Sequence, residues 1–400
     1  MTKIFAMFLP QFHADPYNDE WWGEGFTEWV NVKKTKPLFE GHRQPRVPQN
    51  SEYFSLDNAE EIDLQFREAQ EHGVDGFVFY HYWSLGRRLL KTPLDILLDN
   101  PDIAKGSEFS LCWANHSWTR AWTNRSGASE VLMPQEYETS PEAMEEHIAF
   151  LLRCFSDPRY TRIDGRPLFQ IYRKSDIVEF DRFAALLQEQ CLSQLGTRCH
   201  ISILITGPNQ LKDFTDTVDS AILAQPASAH NGPEDILETS QTKTAKSYNL
   251  RYFFSKLPNW MQSIVYSLKD RFFSSITIWD YETTWAKILR QSKLASQSPK
   301  AIFYGAFVDF DNTARYGDRA KLYKNFTIDR FSTGLEEILR ISSRSKGDGF
   351  VVINAWNEWA EGMYLQADEE FGNQRLEAIK AVKLKLTQEQ SSFEHAAETS

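Results

Sequence analysis

The chain has only four cysteines, Cys112, Cys154, Cys191 and Cys199, with no CxxC pair and no Cys/His ligand spacing among them. Their placement argues against a disulfide framework and a zinc module, and leaves free thiols in a reducing compartment. No apolar run reaches transmembrane length. The opening MTKIFAMFLPQFH passes too soon into polar residues for a secretory signal, so a cytoplasmic protein is expected. GxGxxG and GxxxxGK[ST] are both absent, which removes the Gly-rich phosphate loops of nucleotide-binding folds. Positive charge is in deficit: 44 basic against 55 acidic residues give a net charge of −11. Such a field does not draw in a polyanion, so no nucleic-acid partner is expected. No Asp/His cluster has metal-ligand spacing, and neither a metal nor another cofactor is expected.

What is abundant is aromatic. Phe, Trp and Tyr make up 14% of the 400 residues, with 12 Trp and 15 Tyr. Surplus indoles serve as core, or as flat platforms for sugar rings, and position separates the two uses.

Short, continuously apolar runs recur at 3–13, 74–83, 109–118, 166–173, 199–206, 218–227, 300–310 and 349–359. Continuous rather than alternating apolarity is the mark of parallel strands buried on both faces. Helical patterns lie between them, at 59–73 with Gly73 to end it, at 140–155 with Ser140 and Pro141 to start it, and at 178–195, 280–292, 332–345 and 372–386. About eight strand–helix units predict a (β/α)₈ barrel with long βα loops, in preference to a doubly wound open sheet. Residues 14–57 and 228–279 stand outside the repeat as insertions. With no internal linker, one catalytic barrel over 1–387 is expected, followed by a polar tail over 388–400 that reads as disordered.

Active sites of such barrels lie at the C-terminal strand ends. Gln11 and His13 follow the first run; Tyr80, His81, Tyr82 and Trp83 end the second; Trp113, Asn115, His116 and Trp118 end the third. Tyr172 ends the fourth, Asp309 and the nearby Arg315 the seventh, and Trp356, Asn357, Glu358, Glu361 and Tyr364 the eighth. The loop WWGEGFTEW adds Glu28 and Trp29, either as contacts over the pocket or as packing. Indole walls, amide and imidazole donors and paired carboxylates suit a carbohydrate. Glycosidic-bond chemistry needs an acid and a base or nucleophile, held about 5–5.5 Å apart in retaining enzymes. Glu358 and Glu361, three apart at a strand end, have a spacing that can reach this. Burial against indoles would raise one of the two carboxyls until it keeps a proton near neutrality. The residues alone do not say which is acid and which is base. A pair of glutamates at a helix start, favoured by its dipole, is the competing structural reading.

NAWNEWAEG (354–362), FYHYW, CWANHSWTRAW, LPQFHADPYNDEWWGEGFTEW and DPRYTRIDGRPLFQIYR together resemble the WbsX-type proteins of bacterial surface-polysaccharide clusters. Those in turn are similar to glycoside hydrolase family 99, the endo-α-mannosidases. The likeness runs from about residue 3 to 385. It implies a (β/α)₈ barrel that acts on an oligosaccharide or lipid-linked glycan in surface-polysaccharide assembly. Asn357, Glu358, Trp359, Glu361 and Gly362 match the family 99 stretch NEWxEG. By resemblance, Glu358 takes the proton of the sugar 2-hydroxyl to give a 1,2-anhydro sugar. Glu361 serves first as general acid and then as base for the acceptor. The chain departs from the pattern at His116, where a glutamate is expected, and at Ala121, where a second arginine is usual.

Two other functions remain open. A glycosyltransferase would need an activated donor, and DFD at 309–311 is the only near-match to a DxD. A non-catalytic glycan-binding barrel would have no use for the carboxylate pair. Apolar residues at helical spacing over 251–273, flanked by Arg251, Lys256, Lys269 and Arg271, fit either an interfacial helix on the inner membrane or packing on the barrel.

Overall fold

The computed structural model describes residues 2–119, 131–207, 210, 213–231, 276–345 and 349–398. Eight parallel strands form a closed barrel: β1 (Lys3–Phe8), β2 (Gly76–Ser84), β3 (Glu108–Trp113), β4 (Arg166–Ile171), β5 (His200–Ile205), β6 (Ser220–Leu223), β7 (Ala301–Phe307) and β8 (Phe350–Asn354). Closure comes at β1, which pairs with β8 through Lys3 and Phe350 and with β2 through Phe5 and Gly76. All eight coincide with the apolar runs of the sequence. The reason is visible in the packing. Phe5, Met7, Val78, Cys112, Leu204, Phe303 and Val352 fill the barrel, while Ile4, Ala6, Phe8, Phe77 and Phe79 pack in the main core cluster around it. Both faces of each strand are buried, and polar residues on them such as Ser110, Gln170, His200, Ser202 and Ser220 bond one another.

The surrounding helices are α1 (Ala59–Glu71), α2 (Thr92–Asp99), α3 (Pro141–Phe155), α4 (Phe180–Leu195), α5 (Tyr281–Ala295), α6 (Ile328–Ser343) and α7 (Gln374–Glu398). The Ser140 hydroxyl caps α3 by accepting from Ala143 N at 3.3 Å. The turn after α1 closes at Gly73, whose φ of +85° belongs to the left-handed region. The sequence pattern did not reveal α2, which is only eight residues long. The polar tail expected to be disordered from 388 instead continues α7 to Glu398. That stretch has no Pro or Gly and is rich in Gln, Glu and Ala, so its backbone can continue the helix though it offers little apolar surface.

The 14–57 insertion is structured. It carries helices Pro16–Trp22 and Glu28–Lys34, the second burying Glu28, Trp29 and Val32. It then returns beside β7, where Arg46 Nη2 meets Asp309 at 3.0 Å and His42 Nε2 meets Asp311 at 2.9 Å. Among the described residues no helix is long and apolar enough to cross a membrane. The segment 251–273 and Ala121 lie outside the described residues.

Candidate active site

The backbone leaving β8 is fixed at several points. Trp356 N donates to Met7 O at 2.8 Å. The Asn357 side chain accepts from Leu9 N at 2.7 Å and donates to Leu9 O at 2.9 Å. Asn357 and Glu358 then pair antiparallel with Tyr364 and Met363, and a single 3₁₀ turn, Trp359–Glu361, joins the two arms. Gly362 ends that turn with φ +62°. A Cβ there would stand 2.8 Å from Asp311 N, which donates to Glu361 O at 2.7 Å. The i, i+3 spacing of the two glutamates thus becomes a tight hairpin rather than the start of a long helix.

One guanidinium gathers three carboxylates. Arg315 is 3.0 Å from Glu28 and 3.9 Å from Glu358, and it forms a short ion pair with Glu361. Burial raises the Glu28 carboxyl, against the opposing pull of Arg315. Burial, reinforced by the charge of Glu361 and opposed by Arg315, raises Glu358 to about 8. Glu358 therefore holds a proton at neutrality. The Glu361 side chain is 20% exposed, against 9% for Glu358, so Glu361 is the more open to water.

These two glutamates line a cavity of about 440 Å³ at the C-terminal end of the barrel. A smaller cavity of about 250 Å³ lies among the N-terminal residues of β1 and β8. Of the residues singled out from sequence, Tyr80, Tyr82, His116, Trp118, Tyr172, Arg315, Glu358 and Glu361 line the larger cavity. Burial and the Glu358 charge raise Tyr82 and Tyr80 well above the usual 10, so both keep hydroxyl protons to donate. Burial, with Arg173 nearby, lowers His116 to about 4 and keeps it neutral.

The other expected contacts do not line the cavity, and strand geometry explains several of them. Side chains alternate along a strand. Tyr80 and Tyr82 line the cavity, while His81 bonds His147 of α3 at 3.0 Å and Trp83 donates to Glu138 at 2.6 Å. Trp113 donates to Trp83 O at 3.1 Å on the same outer side. Asn115 holds the β4 end by donating to Arg173 O at 2.7 Å. Gln11 bonds Asn18 at 3.3 Å, and His13 Nδ1 bonds Pro10 O at 2.8 Å. Glu28 stands behind Arg315, fully buried. Asp309 is taken up by Arg43 and Arg46, both at 3.0 Å. The indoles nearest the glutamates in sequence are structural too. Trp356 donates to Gln65 of α1 at 2.9 Å, and Trp359 donates to Gln366 at 2.7 Å. Tyr364 stacks on Trp359 with centroids 3.7 Å apart and donates to Asp368. Trp29 packs on Trp359 at 5.2 Å and donates to Phe54 O.

Tyr80, which the sequence also places at the end of the second run, lines the cavity together with Tyr82. Sequence reading missed His230, Trp279, Tyr316 and Lys321, which line the same cavity. Those residues come from the second insertion and the loops after β7, and no local pattern marks them. Among the described residues no group of three or more His, Cys, Asp or Glu is placed to hold a metal ion.

The site is thus a carboxylate pair at the end of β8 of a (β/α)₈ barrel, set in an aromatic cleft. The chain belongs to the family described as Glycosyltransferase WbsX, which it matches over residues 4–379. It is 30% identical over 381 residues to the uncharacterized protein WxcX of Xanthomonas campestris pv. campestris strain B100. That match covers 95% of this chain and 49% of WxcX, so the chain spans about half the length of the curated relatives it matches. The family 99 endo-α-mannosidase of Bacteroides thetaiotaomicron shares the fold, with TM-score 0.54 and 13% identity over 97% of this chain and 98% of that one. A glycoside hydrolase-like protein also shares it, at TM-score 0.55 and 12% identity over 95% and 93% of the two chains.

Proposed function

We propose that the chain is a carbohydrate-active enzyme that cleaves or transfers at an α-linked sugar with retention, using Glu358 and Glu361, in the assembly or processing of a bacterial surface polysaccharide. The observation that carries this reading is the carboxylate pair at one cavity, tied by a single guanidinium, with Glu358 raised to about 8. A carboxyl that keeps its proton near neutrality, beside a second carboxyl at the same cavity, suits a reaction that must give one proton and take one. The partner would be an oligosaccharide or lipid-linked glycan met in the cytoplasm or at the inner membrane.

The roles follow the resemblance and the depth of the two groups. The deeper Glu358 takes the 2-hydroxyl proton, and O2 attacks the anomeric carbon. The glycosidic oxygen leaves with the proton of the more open Glu361. Water or an acceptor hydroxyl, deprotonated by Glu361, then opens the 1,2-anhydro ring, and Glu358 returns its proton to O2. Attack by O2 needs a 2-hydroxyl trans to the leaving group, which an α-manno sugar supplies. Glu358 itself is raised, so this assignment requires it to pass its proton on before it acts as base.

The test is mass spectrometry of host glycans and lipid-linked glycans incubated with the protein, with and without nucleotide-sugar donors, beside Glu358→Gln and Glu361→Gln. Shortened or re-linked glycans without donor, lost in both variants, are expected. An α-mannosyl fluoride separates the roles, because fluoride leaves without a proton: Glu361→Gln should keep its first step and Glu358→Gln should not. The family description favours one other reading, a glycosyltransferase with an activated donor. Glycan extension that requires a donor would replace the first reading with that one.

A further inference from the structure

The cavity has a second, differently built wall. Trp279 lies in the short strand Thr277–Asp280, which pairs with Lys321–Lys324 in parallel, Thr277 against Lys321. The Trp279 ring stacks on His230 with centroids 4.0 Å apart and an interplanar angle of 21°. His230 Nε2 in turn meets the Tyr323 hydroxyl in a short hydrogen bond. Trp279 is thereby held on one face while remaining partly exposed at the cavity.

Lys321 reaches over it, with Nζ 5.8 Å from the Trp279 ring centroid. Its backbone is fixed: Lys321 N donates to Asn312 Oδ1 at 2.7 Å, and Lys321 O accepts from Asn312 N at 3.2 Å. Asn312 sits in the loop that carries Arg315. Unlike Arg315, which is committed to carboxylates, Lys321 is exposed and pairs with no carboxylate among the described residues. His230 adds no charge of its own: burial, with Lys287 and Lys321 nearby, lowers it to about 4. This wall therefore offers an aromatic face and a cation that no carboxylate of the described residues engages, in a cavity that is otherwise aromatic and acidic.

Resting on the proposed function, and specifying its substrate, we propose that Trp279 and Lys321 form a subsite for an anionic sugar residue. The ring lies on the indole, and a carboxylate or phosphoryl group on that sugar meets the Lys321 ammonium. A neutral glycan leaves this cation in water, whereas an anionic one gains a charge-assisted hydrogen bond at no cost in burial.

The test is calorimetric binding to the full chain carrying Glu358→Gln, which keeps the glycans intact. The probes are a manno-oligosaccharide, the same chain with one uronic acid, and the same chain with one phosphate monoester. The anionic probes should bind roughly five- to tenfold more tightly than the neutral one at low salt. Adding Lys321→Met should erase that preference and leave neutral binding unchanged, and Trp279→Ala should weaken all three. The tighter of the two anionic probes identifies the group as carboxylate or phosphate. Equal binding of neutral and anionic probes, an equal loss for all three on Lys321→Met, or no binding by any probe overturns the proposal. Failure of the catalytic reading is distinguishable: anionic probes would bind through Lys321 while the wild-type protein left them unchanged.

Discussion

The side chain of Asn357 closes a two-bond bridge onto the backbone of Leu9, accepting at 2.7 Å and donating at 2.9 Å. Both residues are buried, and the bridge joins the residue before Glu358 to the end of β1. Asn357→Ala would leave Leu9 N and O without partners in a dry site. It should cost about 2–4 kcal/mol in urea unfolding. Asn357→Asp keeps the acceptor but loses the donor and adds a buried charge near Glu358, so it should not restore stability.

The raised Glu358 group makes two linked predictions about pH. Its folded value is about 8 against an ordinary 4.5. Between those values the folded protein holds a proton that the unfolded chain has released. Stability from this group is full below pH 4.5 and is lost as pH rises through about 8. Glu358→Gln lacks that slope, so its stability relative to wild type should increase from pH 5 to pH 8.5 in urea titrations. The activity counterpart is a kcat/KM that declines above pH about 8, where the pair loses its last shared proton. Both role assignments give this limb, because both need one proton on the pair.

Trp118 and Trp356 separate wall from core. Trp118 lines the cavity, whereas Trp356 is fully buried and donates to Gln65. Trp118→Ala should raise KM for a glycan substrate on the order of tenfold. Trp356→Phe should leave KM unchanged and lower stability by about 1–3 kcal/mol, the consequence of an unpaired Gln65 oxygen. Steady-state kinetics beside thermal unfolding of the two variants checks both halves.

Gly362→Ala tests the hairpin that carries Glu361. The left-handed φ of +62° alone costs an L-residue about 1–2 kcal/mol. The added Cβ would also press on Asp311 N at 2.8 Å. A loss of about 2 kcal/mol or more is expected in denaturant unfolding. Activity should drop further than folded population, because the Asp311-to-Glu361 backbone bond fixes the turn.

Much of the molecule was legible in the chain itself. Eight apolar runs determined eight barrel strands, because burial on both faces leaves no room for polar alternation. Ser140 and Gly73 marked helix ends through local backbone chemistry. NEWAEG identified the carboxylate pair, because a strand end, an i, i+3 spacing and a glycine are all local. Tertiary structure decided the rest. Trp356 and Trp359 lie beside the glutamates in sequence yet face the core, since the backbone turns between adjacent residues and sends their side chains apart. His81 and Tyr82 are neighbours on one strand, but alternation sends one to α3 and the other to the cavity. Glu28, Arg315 and Glu361 meet only because three distant loops converge on one barrel mouth. Trp279 and Lys321 meet the same cavity from segments with no local signature. The chain fixes which strands form and where a carboxylate pair is available. The partners that set the proton on Glu358, and the wall that brings Lys321 to Trp279, exist only once the barrel has closed.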